Sequence, residues 1–247
     1  MREDAAVELK GRIAAAHSVF VLTGAGMSAE SGIATFRDAM TGLWSRFDPA
    51  QLASEEGFRA DPARVWDWYA ERRAGVRTAQ PNAGHLALGA FARRRPGVLT
   101  LVSQNVDDLH QRAGNRDTIR LHGDIQADRW LDRCARSPDC APSRAQPGRP
   151  PRCAQCGNLV RPDVVWFGEM LPVEAIDGAE RAARTSDVAL IVGTSGAVWP
   201  AAGLAAAARR NGAFVAIVNP HPSEIDDEAH VVLRGTAAQT LPHLLAI

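Results

Sequence analysis

The apolar run Ser18-Val19-Phe20-Val21-Leu22-Thr23 ends in Gly24-Ala25-Gly26, and this junction constrains the fold more than any other stretch. Glycines directly after a strand let the chain turn tightly and bring backbone N–H groups close to a pyrophosphate at a helix N-terminus. Gly24-x-Gly26-x-x-Ala29 fits the dinucleotide fingerprint in this respect. The remainder of the fingerprint is missing. A dehydrogenase carries a second strand with a terminal acidic residue about 20 positions further on. Here Ala34-Thr35-Phe36-Arg37-Asp38 follows, and no second apolar strand comes before Val98. Taken alone, the glycines are equally a tight strand-to-helix turn without a ligand.

Further short β-rich runs lie at 98–103, 188–193 and 213–218, with weaker ones at 118–121 and 230–233. Helical patterns fill 5–16, 62–77, 82–93, 173–184, 201–210 and 238–245. Strands alternating with helices predict an α/β fold, a parallel sheet covered on both faces. Right-handed crossovers make it a Rossmann-like doubly wound sheet. Two segments break the alternation, the irregular stretch 33–60 and the stretch 126–163 that holds all four cysteines and "SPDCAPSRAQPGRPPRC". The expected organisation of 1–247 is therefore a single catalytic core. Residues 1–32, 61–125 and 164–247 form the nucleotide-binding domain, 33–60 a cofactor-binding loop with a helical insert, and 126–163 a small zinc-binding module.

Composition excludes several partners. Charges balance at 28 basic against 28 acidic, so no net field recruits nucleic acid or a membrane surface. The first residues, MREDAAVELKGRIAAA, lack a signal-peptide core. The uncharged stretch 188–208 is broken by Gly193-Thr194-Ser195-Gly196 and Pro200, which fits a buried strand, a turn and a helix better than a membrane span. A cytoplasmic monomer is expected.

Cys153-x-x-Cys156-Gly157 has the form of a zinc knuckle, in which two thiolates reach one ion and the glycine permits the turn. Cys134 and Cys140, spaced more widely, supply a second pair. Four cysteines in two pairs predict one tetrahedral structural Zn²⁺ with no open position for chemistry. The alternatives are four unrelated thiols or two disulfides, which a cytosolic chain disfavours.

Small and polar residues end the strands on one edge of the expected sheet: Ser103-Gln104-Asn105-Val106-Asp107, Gly193-Thr194-Ser195, and Asn219-Pro220. In a doubly wound sheet the carboxyl ends of the strands line the ligand crevice, so these should converge on the nucleotide. Leu121-His122-Gly123 closes another run immediately before the cysteine segment. A neutral imidazole there can serve as a general base near pH 7, and the glycine lets a ligand approach.

"GAGMSAESGIATFR", "QNVD", "LHG", the paired cysteines, "PDVVWFGE" and "GTSGAVWPA" occur in the order found in sirtuins. The chain resembles that family of NAD-dependent protein-lysine deacylases from about Val19 to about Leu244. The resemblance implies that the segment after the glycines is a cofactor-binding loop. Gly24, Ala25, Gly26, Ser28 and Ala29 would hold the pyrophosphate side of NAD, with Phe36 and Arg37 covering its reacting end. Gln104, Asn105 and Asp107 would orient the ribose and nicotinamide amide. Gly193, Thr194, Ser195, Asn219 and Ala237 would bind the adenosine side. Val164 to Glu169, including Val165, Phe167 and Gly168, would pair with an extended acyl-lysine peptide or protein opposite Gly196 to Val198. The resemblance also gives His122 and Asn105 the catalytic roles, and the expected products are free lysine, nicotinamide and O-acyl-ADP-ribose.

Tyr69, the only tyrosine, and Arg72 lie three apart on one expected helix face. In the sirtuin branch that removes acidic acyl groups, a Tyr-x-x-Arg pair clamps the distal carboxylate of succinyl- or malonyl-lysine. A phenol beside a guanidinium suits a carboxylate. Ala39 would leave room for the acyl chain, although the loop after Arg37 is one residue longer than that branch's usual form. The competing readings are a general deacetylase without acidic preference, a mono-ADP-ribosyltransferase, a nicotinamide dehydrogenase and a non-catalytic nucleotide sensor. The dehydrogenase lacks its acidic ribose residue, and His122 with Asn105 argues against the sensor.

Overall fold

The computed structural model describes residues 2–33, 48–132 and 140–247. Phe36, Arg37, Ala39 and Cys134 lie outside the described residues. In chain order the elements are α1 (Arg2–Ala15), β1 (Val19–Thr23), α2 (Pro49–Leu52), α3 (Glu55–Ala60), α4 (Pro62–Thr78), α5 (Ala83–Arg94), β2 (Leu99–Ser103), α6 (Leu109–Arg112), β3 (Ile119–Arg120) and β4 (Gly123–Trp130). They continue with β5 (Val160–Val164), α7 (Val173–Arg184), β6 (Val188–Val192), α8 (Gly203–Arg210), β7 (Phe214–Val218), β8 (Val231–Leu233) and α9 (Ala237–Leu245). Among the described residues no helix is long and apolar enough to cross a membrane.

The described residues divide into two compact units. The first comprises 2–33, 79–121 and 171–247, the second 48–78, 122–132 and 140–170. Helix α4, which sequence reasoning assigns to the nucleotide-binding domain, belongs to the second unit.

The first unit is a six-stranded sheet in the order β3-β2-β1-β6-β7-β8, with every pair parallel. Strand β1, VFVLT, is buried throughout, as expected of a central strand covered on both faces. Its side chains alternate: Val19 and Val21 pack with Leu9, Ile13, Leu88, Phe91 and Leu241 from α1, α5 and α9. Phe20 and Leu22 face Ala179, Ala183, Leu204, Ala205 and Ala208 from α7 and α8. Burial of each large aliphatic or aromatic side chain contributes about 1.5–3 kcal/mol, which makes these two layers the main source of stability. The strand order reverses between β1 and β6, so the topological switch point lies at their carboxyl ends, where open α/β sheets bind ligands. The expected doubly wound architecture is therefore present.

The second unit contains an antiparallel ribbon, β4 with β5, that sequence reasoning leaves unassigned. Gly123 starts it with φ +85, and a Cβ there would lie 2.1 Å from the Asp163 carbonyl, so only glycine fits. A register shift follows between Asp124 and Asp128. Arg73 of α4 fills that irregularity, donating to the Ile125 and Ala127 carbonyls and pairing with Asp128. One of the neighbouring arginines on α4 is thus a structural clamp. The unit's core is aromatic, with Phe58 and Trp166 centroids 5.2 Å apart and Trp68 edge-on to Tyr69 at 4.7 Å.

Candidate functional site

In the first unit the glycines after β1 make their closest contacts with protein. Gly24 N–H donates to the Val192 carbonyl at 2.9 Å and Gly26 N–H to the Gly193 carbonyl at 2.8 Å. A Cβ on Gly24 would sit 2.8 Å from Thr194 Cβ, and one on Gly26 2.8 Å from Gly193 Cα. These glycines are therefore required for the loops after β1 and β6 to touch, whatever they also do for a ligand. Of the three, Ala25 is the exposed one. Two 3-10 turns follow, Ala25–Met27 and Ala29–Ser31, where sequence reasoning expects a helix N-terminus. Asn82, which caps α5, anchors them by donating to the Met27 carbonyl at 2.8 Å and to Ser31 Oγ at 3.1 Å.

The other strand ends meet the same turn. Gln104 Nε2 donates to Thr194 Oγ1 at 3.2 Å, and Asn219 Nδ2 to the Thr194 carbonyl at 2.9 Å. Asn105 Nδ2 donates to Ser28 Oγ at 3.1 Å, and Ser28 Oγ donates to Asp107 Oδ2 at 2.9 Å. The structure thus brings Gly24, Gly26, Ser28, Gln104, Asn105, Asp107, Gly193, Thr194 and Asn219 together. Ser195 is exposed on the loop after β6, Ala29 is exposed in the second 3-10 turn, and Ala237 is buried at the start of α9. Burial pushes the Asp107 carboxyl above its ordinary range, against the pull of the Leu109 N–H and the Ser28 hydroxyl.

Sequence reasoning missed the base of this network. His85 and His110 are buried with ring centroids 4.8 Å apart. His85 Nδ1 accepts the Asn82 N–H at 3.3 Å, so the neutral ring carries its proton on Nε2, 3.5 Å from Ser28 Oγ. His110 Nε2 lies 3.1 Å from Thr23 Oγ1. Burial lowers His85 to about 4 and His110 to about 3, so both rings are neutral at physiological pH. The Asn82-x-x-His85 spacing of the α5 cap is the one local signal, whereas His110 meets Thr23 87 positions away.

The second unit resumes at His122, a half-buried residue whose carbonyl accepts the Val165 N–H at 3.0 Å. In the VVWFGE segment, Phe167 N–H donates to the Ala53 carbonyl at 2.9 Å and Phe167 bridges Ser54 in parallel. One edge of that segment is thus already paired within its own unit. Phe167 is 52% exposed and Gly168 is also exposed; in the first unit Val198 is 40% exposed. Beneath the segment Arg161, buried, pairs with Glu169 at 2.5 Å, and Glu169 accepts the Trp166 N–H at 2.8 Å.

Tyr69 is buried in α4, with its hydroxyl accepting the Trp166 Nε1–H at 2.9 Å. Burial raises the phenol to about 12, partly countered by that hydrogen bond and by the Arg72 charge. Arg72, half-buried, stands over the Trp68 ring at 4.9 Å. Both side chains thus lie on α4, and the Arg72 charge acts on the Tyr69 phenol.

Cys140, Cys153 and Cys156 bring their sulfurs within 4.8 Å of one another. The Gly157 N–H closes the knuckle onto the Cys153 carbonyl at 2.9 Å, with Gly157 at φ +73. The Cys156 and Gln155 N–H groups lower the Cys153 thiol to about 7, favouring the thiolate that a metal requires. Zinc bonded to sulfur at about 2.3 Å in a tetrahedron needs sulfurs just under about 4 Å apart. The 3.5 Å separation of Cys140 and Cys153 fits such an ion.

These features define a Rossmann-like α/β protein with a polar switch-point network and a thiolate module of the structural-zinc type. The Sir2 family model matches residues 24–200. A protein named NAD-dependent protein deacylase from Ralstonia nicotianae is 56% identical over 98% of both chains. One of the same name from Methylococcus capsulatus is 50% identical, over 96% of this chain and 95% of its own. Among solved structures, a Sir2 homolog–NAD complex superposes with a TM-score of 0.84 at 41% identity, covering 97% of this chain and 92% of its own. A Sir2–p53 peptide–NAD+ complex gives 0.81 at 27% identity, covering 96% of each. The chain belongs to the Sir2 family, the sirtuins.

Proposed function

We propose that this chain is an enzyme that removes acyl groups from protein lysine side chains and consumes NAD in doing so. The observation that carries the reading is the near-full-length identity to proteins named NAD-dependent protein deacylases. The switch-point network around Asn105, Ser28 and Asp107 supports it. NAD would bind at Gly24, Ala25, Gly26, Ser28, Gln104, Gly193, Thr194, Ser195 and Asn219, with Ala29, Phe36, Arg37 and Ala237 completing its site. An acylated peptide would extend along Val165, Phe167, Gly168 and Val198, in keeping with the peptide-bound relative.

The chemistry follows from these residue types. The nicotinamide–ribose bond breaks, and the acyl-lysine amide oxygen captures the resulting oxocarbenium-like carbon. Asn105 and Asp107 orient the sugar and the amide. His122 takes a proton from a ribose hydroxyl, directly or by relay, and the sugar oxygen attacks the captured acyl carbon. The acyl C–N bond breaks as lysine leaves as the free amine, and water then opens the bridged sugar adduct to leave the acyl group on ADP-ribose. Cys134, Cys140, Cys153 and Cys156 hold a structural zinc that takes no part in these steps.

For the acyl group we propose an acidic one, succinyl or malonyl, with Tyr69 and Arg72 binding its distal carboxylate and Ala39 leaving room for the chain. The buried, engaged Tyr69 hydroxyl favours a second reading, a general deacetylase in which the phenol only fills the core. Acetyl-, malonyl- and succinyl-lysine peptides assayed side by side with NAD separate the two. Higher kcat/KM on the acidic acyl groups supports the first; equal or higher kcat/KM on acetyl-lysine rejects it.

A further inference from the structure

We infer that Trp166 is a positioning residue for acyl selectivity: its indole N–H fixes the Tyr69 phenol so that the phenolic O–H is left to donate to the distal carboxylate of an acidic acyl group. The inference rests on the proposed acidic-acyl reading and adds to it the buried indole of Trp166, which acts through Tyr69.

An indole N–H only donates, so in the 2.9 Å contact the Tyr69 oxygen must accept. The phenol's own proton then needs another acceptor. Among the described residues none takes it, although Tyr69 is only 3% exposed. A buried donor left unpaired is costly, so this one is poised for a ligand oxygen. With the phenol raised to about 12, it stays protonated, hence a donor, across the physiological range. A carboxylate only accepts, and the O–H of Tyr69 together with the guanidinium of Arg72 supplies donors for its two oxygens.

The indole is held far more firmly than core filling needs. The Arg161 guanidinium stacks on it 3.2 Å from the ring centroid, and Phe58 packs on it at 5.2 Å. Glu169 grips the Trp166 backbone N–H at 2.8 Å while forming a two-contact ion pair with Arg161. Ring and backbone are thus each fixed by one partner of the same ion pair. A phenylalanine would fill the space but leave the phenol free to rotate its proton away.

The test is steady-state kinetics of Trp166→Phe, Tyr69→Phe and the double variant on succinyl- and acetyl-lysine peptides with saturating NAD. Trp166→Phe should raise KM for the succinyl peptide by about three- to tenfold, the worth of one neutral hydrogen bond. The succinyl-to-acetyl ratio of kcat/KM should fall by that factor, whatever the segment's backbone contributes to both peptides. In the Tyr69→Phe background the same change should cost nothing further in selectivity. Equal losses on both substrates, or full additivity in the double variant, would reduce Trp166 to packing and overturn the inference. If Arg72→Met shifts only the succinyl peptide while Trp166→Phe does not, the inference falls and the acyl reading stands. If Arg72→Met shifts both peptides alike, the acyl reading falls and takes the inference with it.

Discussion

His122→Ala should lower turnover by about 10²–10⁴, the usual effect of losing a general base, while calorimetry finds NAD binding largely intact. Arg72→Met should raise KM for succinyl-lysine about ten- to a hundredfold, since a charge-assisted hydrogen bond contributes roughly 1.5–3 kcal/mol. Acetyl-lysine has no distal carboxylate, so its turnover should hold. The buried imidazoles predict a pH dependence of stability. His85 and His110 titrate at about 4 and about 3 in the fold, below the unfolded value, so the unfolded chain binds more protons as pH drops. Their contribution is complete above about pH 6.5 and is lost as pH falls below it, by up to about 1.4 kcal/mol per pH unit for each ring. Asp107, raised by burial, acts oppositely: ionised it costs stability, and protonation relieves the cost. Urea midpoints should therefore fall from about pH 6.5 to about pH 4.5, and His85→Gln should flatten that fall. An unchanged slope in the variant would show that other groups dominate.

At the level of elements, the knuckle at Cys153–Cys156 should depend on its ion. A module this polar cannot build an apolar core, and metal binding supplies its folding free energy. A strong chelator or Cys153→Ser should unfold it and lower activity, although no thiolate does chemistry. Metal analysis that finds no zinc in fully active protein would contradict this. The central parallel strands β1, β6 and β7 were legible in sequence because each is an apolar run that the sheet buries. The β4–β5 ribbon was not, since GDIQADRW is mostly polar and its irregularity is satisfied by Arg73, 52 positions away from Ile125. The glycines after β1 were legible as a turn, but their approach to Gly193 and Thr194 is a tertiary contact that local sequence does not encode.

For the molecule as a whole, the meeting of the polar strand ends was legible, because the carboxyl ends of parallel strands share one edge of the sheet. The buried histidines beneath them stayed hidden, since Thr23 and His110 are separated by 87 positions. Helix α4 reads as one more crossover helix, yet its aromatic face is completed by Phe58, Trp166 and the ribbon, so it folds with the second unit. The reaction proposed for this chain is NAD-consuming deacylation of lysine. Its most direct test is the product balance of a single incubation with NAD and an acyl-lysine peptide, read by mass spectrometry. The account predicts free-lysine peptide, nicotinamide and O-acyl-ADP-ribose in equal amounts, with no reduced NAD. A peptide that keeps its acyl group and gains ADP-ribose, or the appearance of NADH, would contradict it.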